Sequence, residues 1–94
     1  MRKSVPSPEL AFGLRVRELR AVLPLTQEEL AEATGLFRTY ISRVEAGLAN
    51  PTLRVIHKFA QALEVDVAAL FEPATGVEKR VLSANPVSRG RVRR

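Results

Sequence analysis

Cysteine and tryptophan are missing from this 94-residue chain, and histidine, tyrosine and methionine occur once each. Without cysteine, neither a disulfide framework nor a thiolate metal site can form. No apolar stretch approaches the ~18 residues needed to cross a bilayer. The opening MRKSVPSP lacks the long apolar segment of a secretion signal, so a cytoplasmic protein is expected. No glycine-rich phosphate loop is present. The lone His57 reads as a partly buried residue at the edge of a helix's apolar face. Ser42 falls on a different helix, and no third group is placed to orient a base. Glu28, Glu29 and Glu32 read as a solvated helix face, with no aspartate-rich loop to make a metal site of them. No catalytic residue, metal or cofactor is therefore expected.

What is present is a chain long enough for one small core, with its charge unevenly divided. Residues 1–72 hold nine Lys/Arg and nine Asp/Glu, whereas residues 73–94 hold six Lys/Arg and one Glu. The whole net charge of +5 therefore lies in the last 22 residues. Two readings of that basic run stay open. One is a solvated, disordered tail; the other is an arm that attracts phosphate without regard to sequence. Within it, VEKRVLSA at 77–84 fits a short strand, a helical turn or an unordered stretch, and is favoured as a dimer contact.

The most informative segment is residues 26–47, TQEELAEATGLFRTYISRVEAG. Thr26 is a good N-cap, with Glu28 and Glu29 in the first turn, where the helix dipole favours acids. Gly35 suits a left-handed C-terminal residue, and a second helix opens three residues later at Arg38. At about 100° per residue, with Arg38 at 0°, Ser42, Ala46, Thr39 and Arg43 fall at about 40°, 80°, 100° and 140°. Val44, Phe37 and Ile41 fall at about 240°, 260° and 300°, on the side that packs. Tyr40 lies at the edge, able to pack or to hydrogen-bond. The polar sector of two arginines and two hydroxyls is either a plain solvated face or a base-reading one. Arginine can pair with guanine O6 and N7, and Ser or Thr can reach bases or phosphates. Helix, glycine turn, helix is the layout that sets its second helix in a DNA major groove.

A pass along the chain predicts an all-α domain of five helices. Residues 1–8 are expected to be a flexible arm, with Pro6 and Pro8 opposing regular structure. The helices are placed at about 9–22, 27–34, 38–46, 53–63 and 67–71. The first should bury Leu10, Phe12, Val16 and Leu19 with help from Leu23, and stop at Pro24. The fourth, capped by Thr52, should carry Leu53, Ile56, Phe59, Ala60 and Leu63 on one face. Asp66 should cap the fifth.

The pieces LRVRELR, LTQEELAEATG, RTYISRVEAG, NPTL and FAQALEVDVAALF stand in one order and register across residues 12–72. Together they resemble a complete DNA-binding domain of the Cro/C1-type (XRE) helix-turn-helix family. The resemblance implies a compact five-helix, lambda-repressor-like domain over 9–72, with the helix-turn-helix at 27–46 and the recognition helix at 38–46. It is followed by the basic tail, 73–94. Two positions depart from the family's pattern. Pro24 stands where the family usually has glycine, so the first loop is expected to take a different local shape. Phe37 replaces a common Ser or Thr cap, a loss of about 1 kcal/mol that packing of the ring is expected to offset.

The function implied is a double-stranded DNA-binding transcriptional regulator, acting as a homodimer on a palindromic operator as a repressor or autoregulator. Arg38, Thr39, Ser42 and Arg43 would read bases. Gln27, Tyr40, Asn50 and Arg54 would contact phosphates. Asn50 is equally well a turn residue before Pro51, whereas for Gln27 the phosphate contact is favoured over an ordinary exposed helix former. Arg20 and Glu45 match a structural ion pair of similar domains. Antitoxin and restriction-modification controller stay open as alternatives, as does a protein partner such as a toxin or RNA polymerase.

Overall fold

The computed structural model describes residues 7–75. Four α-helices and one short 3₁₀-helix follow one another: α1 (Pro8–Val22), α2 (Gln27–Thr34), α3 (Arg38–Glu45), α4 (Leu53–Leu63) and the 3₁₀-helix Val67–Phe71. The described residues contain no strand. The expected fifth α-helix is thus a 3₁₀ turn, and the expected Asp66 side-chain cap is not made. The backbone closes this turn itself, with the Ala69 N–H donating to the Asp66 carbonyl at 2.9 Å. Residues 1–6 and 76–94, which include most of the expected arm and nearly all of the basic tail, lie outside the described residues.

Local chemistry explains most boundaries. Pro8 does not oppose α1 but opens it, at the first helical position, where its missing N–H costs nothing. Ser7 caps that end, its Oγ accepting from the Leu10 N–H at 3.1 Å. At the other end Leu23 keeps right-handed helical angles although Pro24 follows it, against the usual bias of a residue before proline. The chain then turns without a left-handed residue, and the Leu25 N–H donates to the Arg20 carbonyl at 2.9 Å. In α2 the Thr26 hydroxyl accepts from the Glu29 N–H at 3.0 Å, and the Glu29 carboxylate accepts from the Thr26 N–H at 2.9 Å. This reciprocal pair is a capping box. Gly35, at φ 75°, closes the helix in the left-handed region.

The core joins Phe12 and Val16 of α1, Leu30 and Ala31 of α2, Ile41 and Val44 of α3, Phe59, Ala60 and Leu63 of α4, and Leu70. Phe12 and Phe59 meet edge to face, their ring centroids 6.0 Å apart. Leu19 and Leu23 pack against this core from its margin. Leu53 departs from the expected apolar face: it opens α4 and is 67% exposed. Gly13 sets how closely α1 approaches α3, because a Cβ there would lie 2.1 Å from the Val44 carbonyl oxygen. Any side chain at 13 would force the two helices apart.

Candidate DNA-binding surface

Packing decides which face of α3 is free. Ile41, Val44 and Glu45 are buried, whereas Arg38, Thr39, Ser42 and Arg43 are all exposed. The four candidate base-reading residues therefore share one solvent-facing surface of a two-turn helix. Tyr40, at the boundary, is half-buried and packs against the core. Arg38 and Arg43 are cations on this face, and the one acid of α3, Glu45, is turned inward.

Glu45 is held there by three hydrogen bonds from two residues. Arg20 at the end of α1 donates through Nε to Glu45 Oε2 at 2.7 Å and through Nη2 to Oε1 at 2.9 Å. Its remaining terminal nitrogen, Nη1, donates to the Leu25 carbonyl at 2.8 Å. Gln27, the first residue of α2, adds its Nε2 to Glu45 Oε1 at 3.1 Å. The fork of one guanidinium thus fixes the end of α3, the loop before α2 and, through the shared carboxylate, the start of α2 itself. Paired N–H donors match both carboxylate oxygens and hold orientation as well as distance. The Glu45 side chain is 5% exposed, so the pair works largely out of water.

Two side chains behave in ways that the residue pattern did not disclose. Arg43 folds back so that Nη2 donates to the Leu48 carbonyl at 2.7 Å, while the Leu48 N–H donates to the Arg43 carbonyl at 2.9 Å. Arg43 thereby pins the loop after α3, with further donors left for another partner. Phe37 does not pack as expected. It occupies the N-cap position of α3, makes no side-chain cap bond and is 81% exposed. Leu36 explains this, because the residue beside Phe37 takes the inward position against the core.

Asn50 and Arg54 are exposed, Asn50 in the loop before α4 and Arg54 in its first turn. Thr52 caps α4, its hydroxyl accepting from the Val55 N–H at 3.2 Å. His57, expected to be partly buried, is exposed and lines a shallow hollow with Leu53 and Arg54. No group of three His, Cys, Asp or Glu side chains among the described residues could hold a metal ion, and no described helix is long and apolar enough to cross a membrane.

A second buried network was missing from the sequence reading. Arg15 donates through Nη1 to Glu18 at 2.9 Å, through Nε to the Ala69 carbonyl at 2.7 Å and through Nη2 to Glu72 at 3.1 Å. Glu18 also accepts from the Thr75 N–H at 2.9 Å and from its hydroxyl at 3.0 Å. It ties the 3₁₀-helix and the chain beyond it to α1. Angle counting offers a signal, since Arg15 lies only about 60° from Phe12 on the helix.

Two short helices joined by a glycine turn, the second braced from behind and presenting arginines and hydroxyls, make up a helix-turn-helix unit. A helix-turn-helix domain model matches residues 11–72. The control protein C.BamHI of Bacillus amyloliquefaciens is 40% identical over 67 residues, covering 70% of this chain and 83% of its own length. The solved restriction-modification controller protein C.AhdI from Aeromonas hydrophila is 45% identical, with a TM-score of 0.65, over 66% of this chain and 94% of its own. SinR, a master regulator for biofilm formation solved in complex with DNA, is 31% identical with a TM-score of 0.62, over 65% of this chain and 98% of its own. The chain belongs to the helix-turn-helix domain family, and within it to the Cro/C1 (XRE) type of DNA-binding transcriptional regulators.

Proposed function

We propose that the protein is a cytoplasmic homodimeric regulator that binds a palindromic operator and represses or autoregulates its target. The observation that carries this reading is the shared exposed surface of Arg38, Thr39, Ser42 and Arg43, behind which Glu45 is clamped inward. Two copies would place their α3 helices in successive major grooves, with half-sites about 34 Å apart. Arg38 and Arg43 would pair with guanine edges, and Thr39 and Ser42 would reach neighbouring bases or phosphates. Gln27, Asn50 and Arg54 would set the register on phosphates, joined by the Tyr40 hydroxyl at the edge of the helix. Gln27 has a spare amide donor and its carbonyl oxygen beyond the bond that it gives Glu45.

The dimer surface of this proposal is the 3₁₀-helix and its surroundings. Phe71 is 60% exposed there, its ring centroid 5.7 Å from that of Phe12, in an apolar groove shared with Pro8, Ala11 and Pro73. Among the biological roles, the likeness to C.AhdI and C.BamHI supports a restriction-modification controller ahead of an antitoxin.

Anisotropy titration against DNA from immediately upstream of the protein's own gene, with a scrambled duplex beside it at two salt concentrations, tests the proposal. Sequence-dependent binding with two chains per site is expected. Equal, salt-sensitive binding to both duplexes would contradict autoregulation and point to remote operators. No binding to either would favour the antitoxin reading, with a partner protein as the first ligand.

A further inference from the structure

Of the four phenylalanines in the chain, Phe12, Phe59 and Phe71 form a ring cluster, and Phe37 stands apart from it. Phe37 is more exposed than any other large apolar side chain among the described residues. Its position makes that exposure costly twice over. The N-cap of a helix is where a hydroxyl or carboxamide would satisfy a free N–H, and an aromatic ring cannot do so. The ring also gives up the burial that would reward a phenylalanine elsewhere. Neither loss is offset within the described chain, since no cap bond and no ring partner is present.

We propose that Phe37 is a specificity-determining residue that reads the C5-methyl group of a thymine in the major groove. The inference rests on the DNA-reading function proposed above and names one base that it selects. Phe37 immediately precedes Arg38 at the N-terminal end of α3, the end that meets base edges when a recognition helix enters the groove. In that groove thymine alone among the bases carries a methyl group, and an apolar side chain is the kind of group that detects it. The arginines and Ser42 of the same face pair with donors and acceptors, and Thr39 adds only a single methyl, so none of them presents a broad apolar surface. Phe37 supplies what they lack, and it occupies the outward position because Leu36 fills the inward one.

The test starts from the binding site that the full chain selects out of a random duplex library. Each thymine of that site is then replaced by deoxyuridine, which removes the methyl and leaves the hydrogen-bonding edge intact. One thymine per half-site should weaken wild-type binding about fourfold when replaced, the value of burying one methyl-sized group. Phe37→Ala and Phe37→Ser should bind the thymine site about fourfold more weakly and lose the distinction between thymine and deoxyuridine. Phe37→Ser should also raise Tm by a few degrees, because serine restores the missing cap. A fall in Tm for Phe37→Ser would show a structural ring and overturn the proposal. So would sequence-specific binding with no deoxyuridine effect, or with an effect that survives in Phe37→Ala. If the library yields no preferred site, the DNA-reading function itself fails and this inference goes with it.

Discussion

Two arginines of α1, five residues apart, are both drawn out of water, and they are held in different ways. Arg20 faces α2 and α3 and grips both oxygens of one carboxylate, Glu45. Arg15 faces the 3₁₀-helix and divides its donors among Glu18, the Ala69 carbonyl and Glu72, a residue whose side chain is 63% exposed. The first network fixes an angle between helices; the second gathers the end of the domain onto α1. The acids that would be left behind differ as well. Without Arg20, Glu45 would keep the Gln27 amide, whereas without Arg15, Glu18 would keep the amide and hydroxyl of Thr75. A buried carboxylate stripped of its cation is costly in proportion to how few donors remain. Orientation of α3 is thus concentrated in one pair, while the far end is held by several weaker ties.

The largest expected effect is from Arg20→Ala, which should lose about 4 kcal/mol of unfolding free energy in urea titrations. Arg20→Lys should not restore it fully, because a single ammonium cannot match both carboxylate oxygens and the Leu25 carbonyl with the same fork. Arg15→Ala should cost less, about 2 kcal/mol, because Thr75 continues to satisfy Glu18. Equal losses for the two arginines would erase the distinction drawn between the networks. Gln27→Ala should remove about 1 kcal/mol by the same assay, as one hydrogen bond to a charged acceptor is lost. Glu72→Ala should change stability by less than about 0.5 kcal/mol, since its partner sees an exposed, screened carboxylate.

One small change has the opposite sign. Glu64 ends α4 at φ 63°, the one described non-glycine residue in the left-handed region. Relief of about 1–2 kcal/mol of local strain against about 0.5–1 kcal/mol of added chain entropy leaves Glu64→Gly stabilising by roughly 0.5 kcal/mol. Thermal denaturation would register it as a small rise in Tm.

The sequence disclosed those parts of the fold that local rules govern. The bounds of α2 follow from Thr26, Glu29 and Gly35, residues whose side-chain and backbone chemistry act within one helical turn. The exposed set on α3 follows from a 3.6-residue period. Arg20 and Glu45, in contrast, were paired by resemblance, since 25 residues separate them and no local rule joins them. Arg15 and Glu18 escaped notice because charged residues on a helix are ordinarily solvated, and their partners beyond each other lie over 50 residues away. Phe37 was misplaced by extending the helical wheel one residue too far. An N-cap residue has extended angles, here φ −77° and ψ 146°, so the wheel does not apply to it. The last helix was misjudged in type because five residues between Asp66 and Glu72 suit an α-turn or a 3₁₀-turn equally well in composition.

If the exposed face of α3 reads sequence, as proposed, Arg43→Ala removes one of its two arginines. Anisotropy titrations of the variant and the wild-type chain would be run on the selected operator and on a scrambled duplex of equal length. A loss of about 1–3 kcal/mol on the operator is expected, with affinity for the scrambled duplex nearly unchanged. Equal losses on both duplexes would make Arg43 a phosphate contact, and no loss on either would remove this face from recognition.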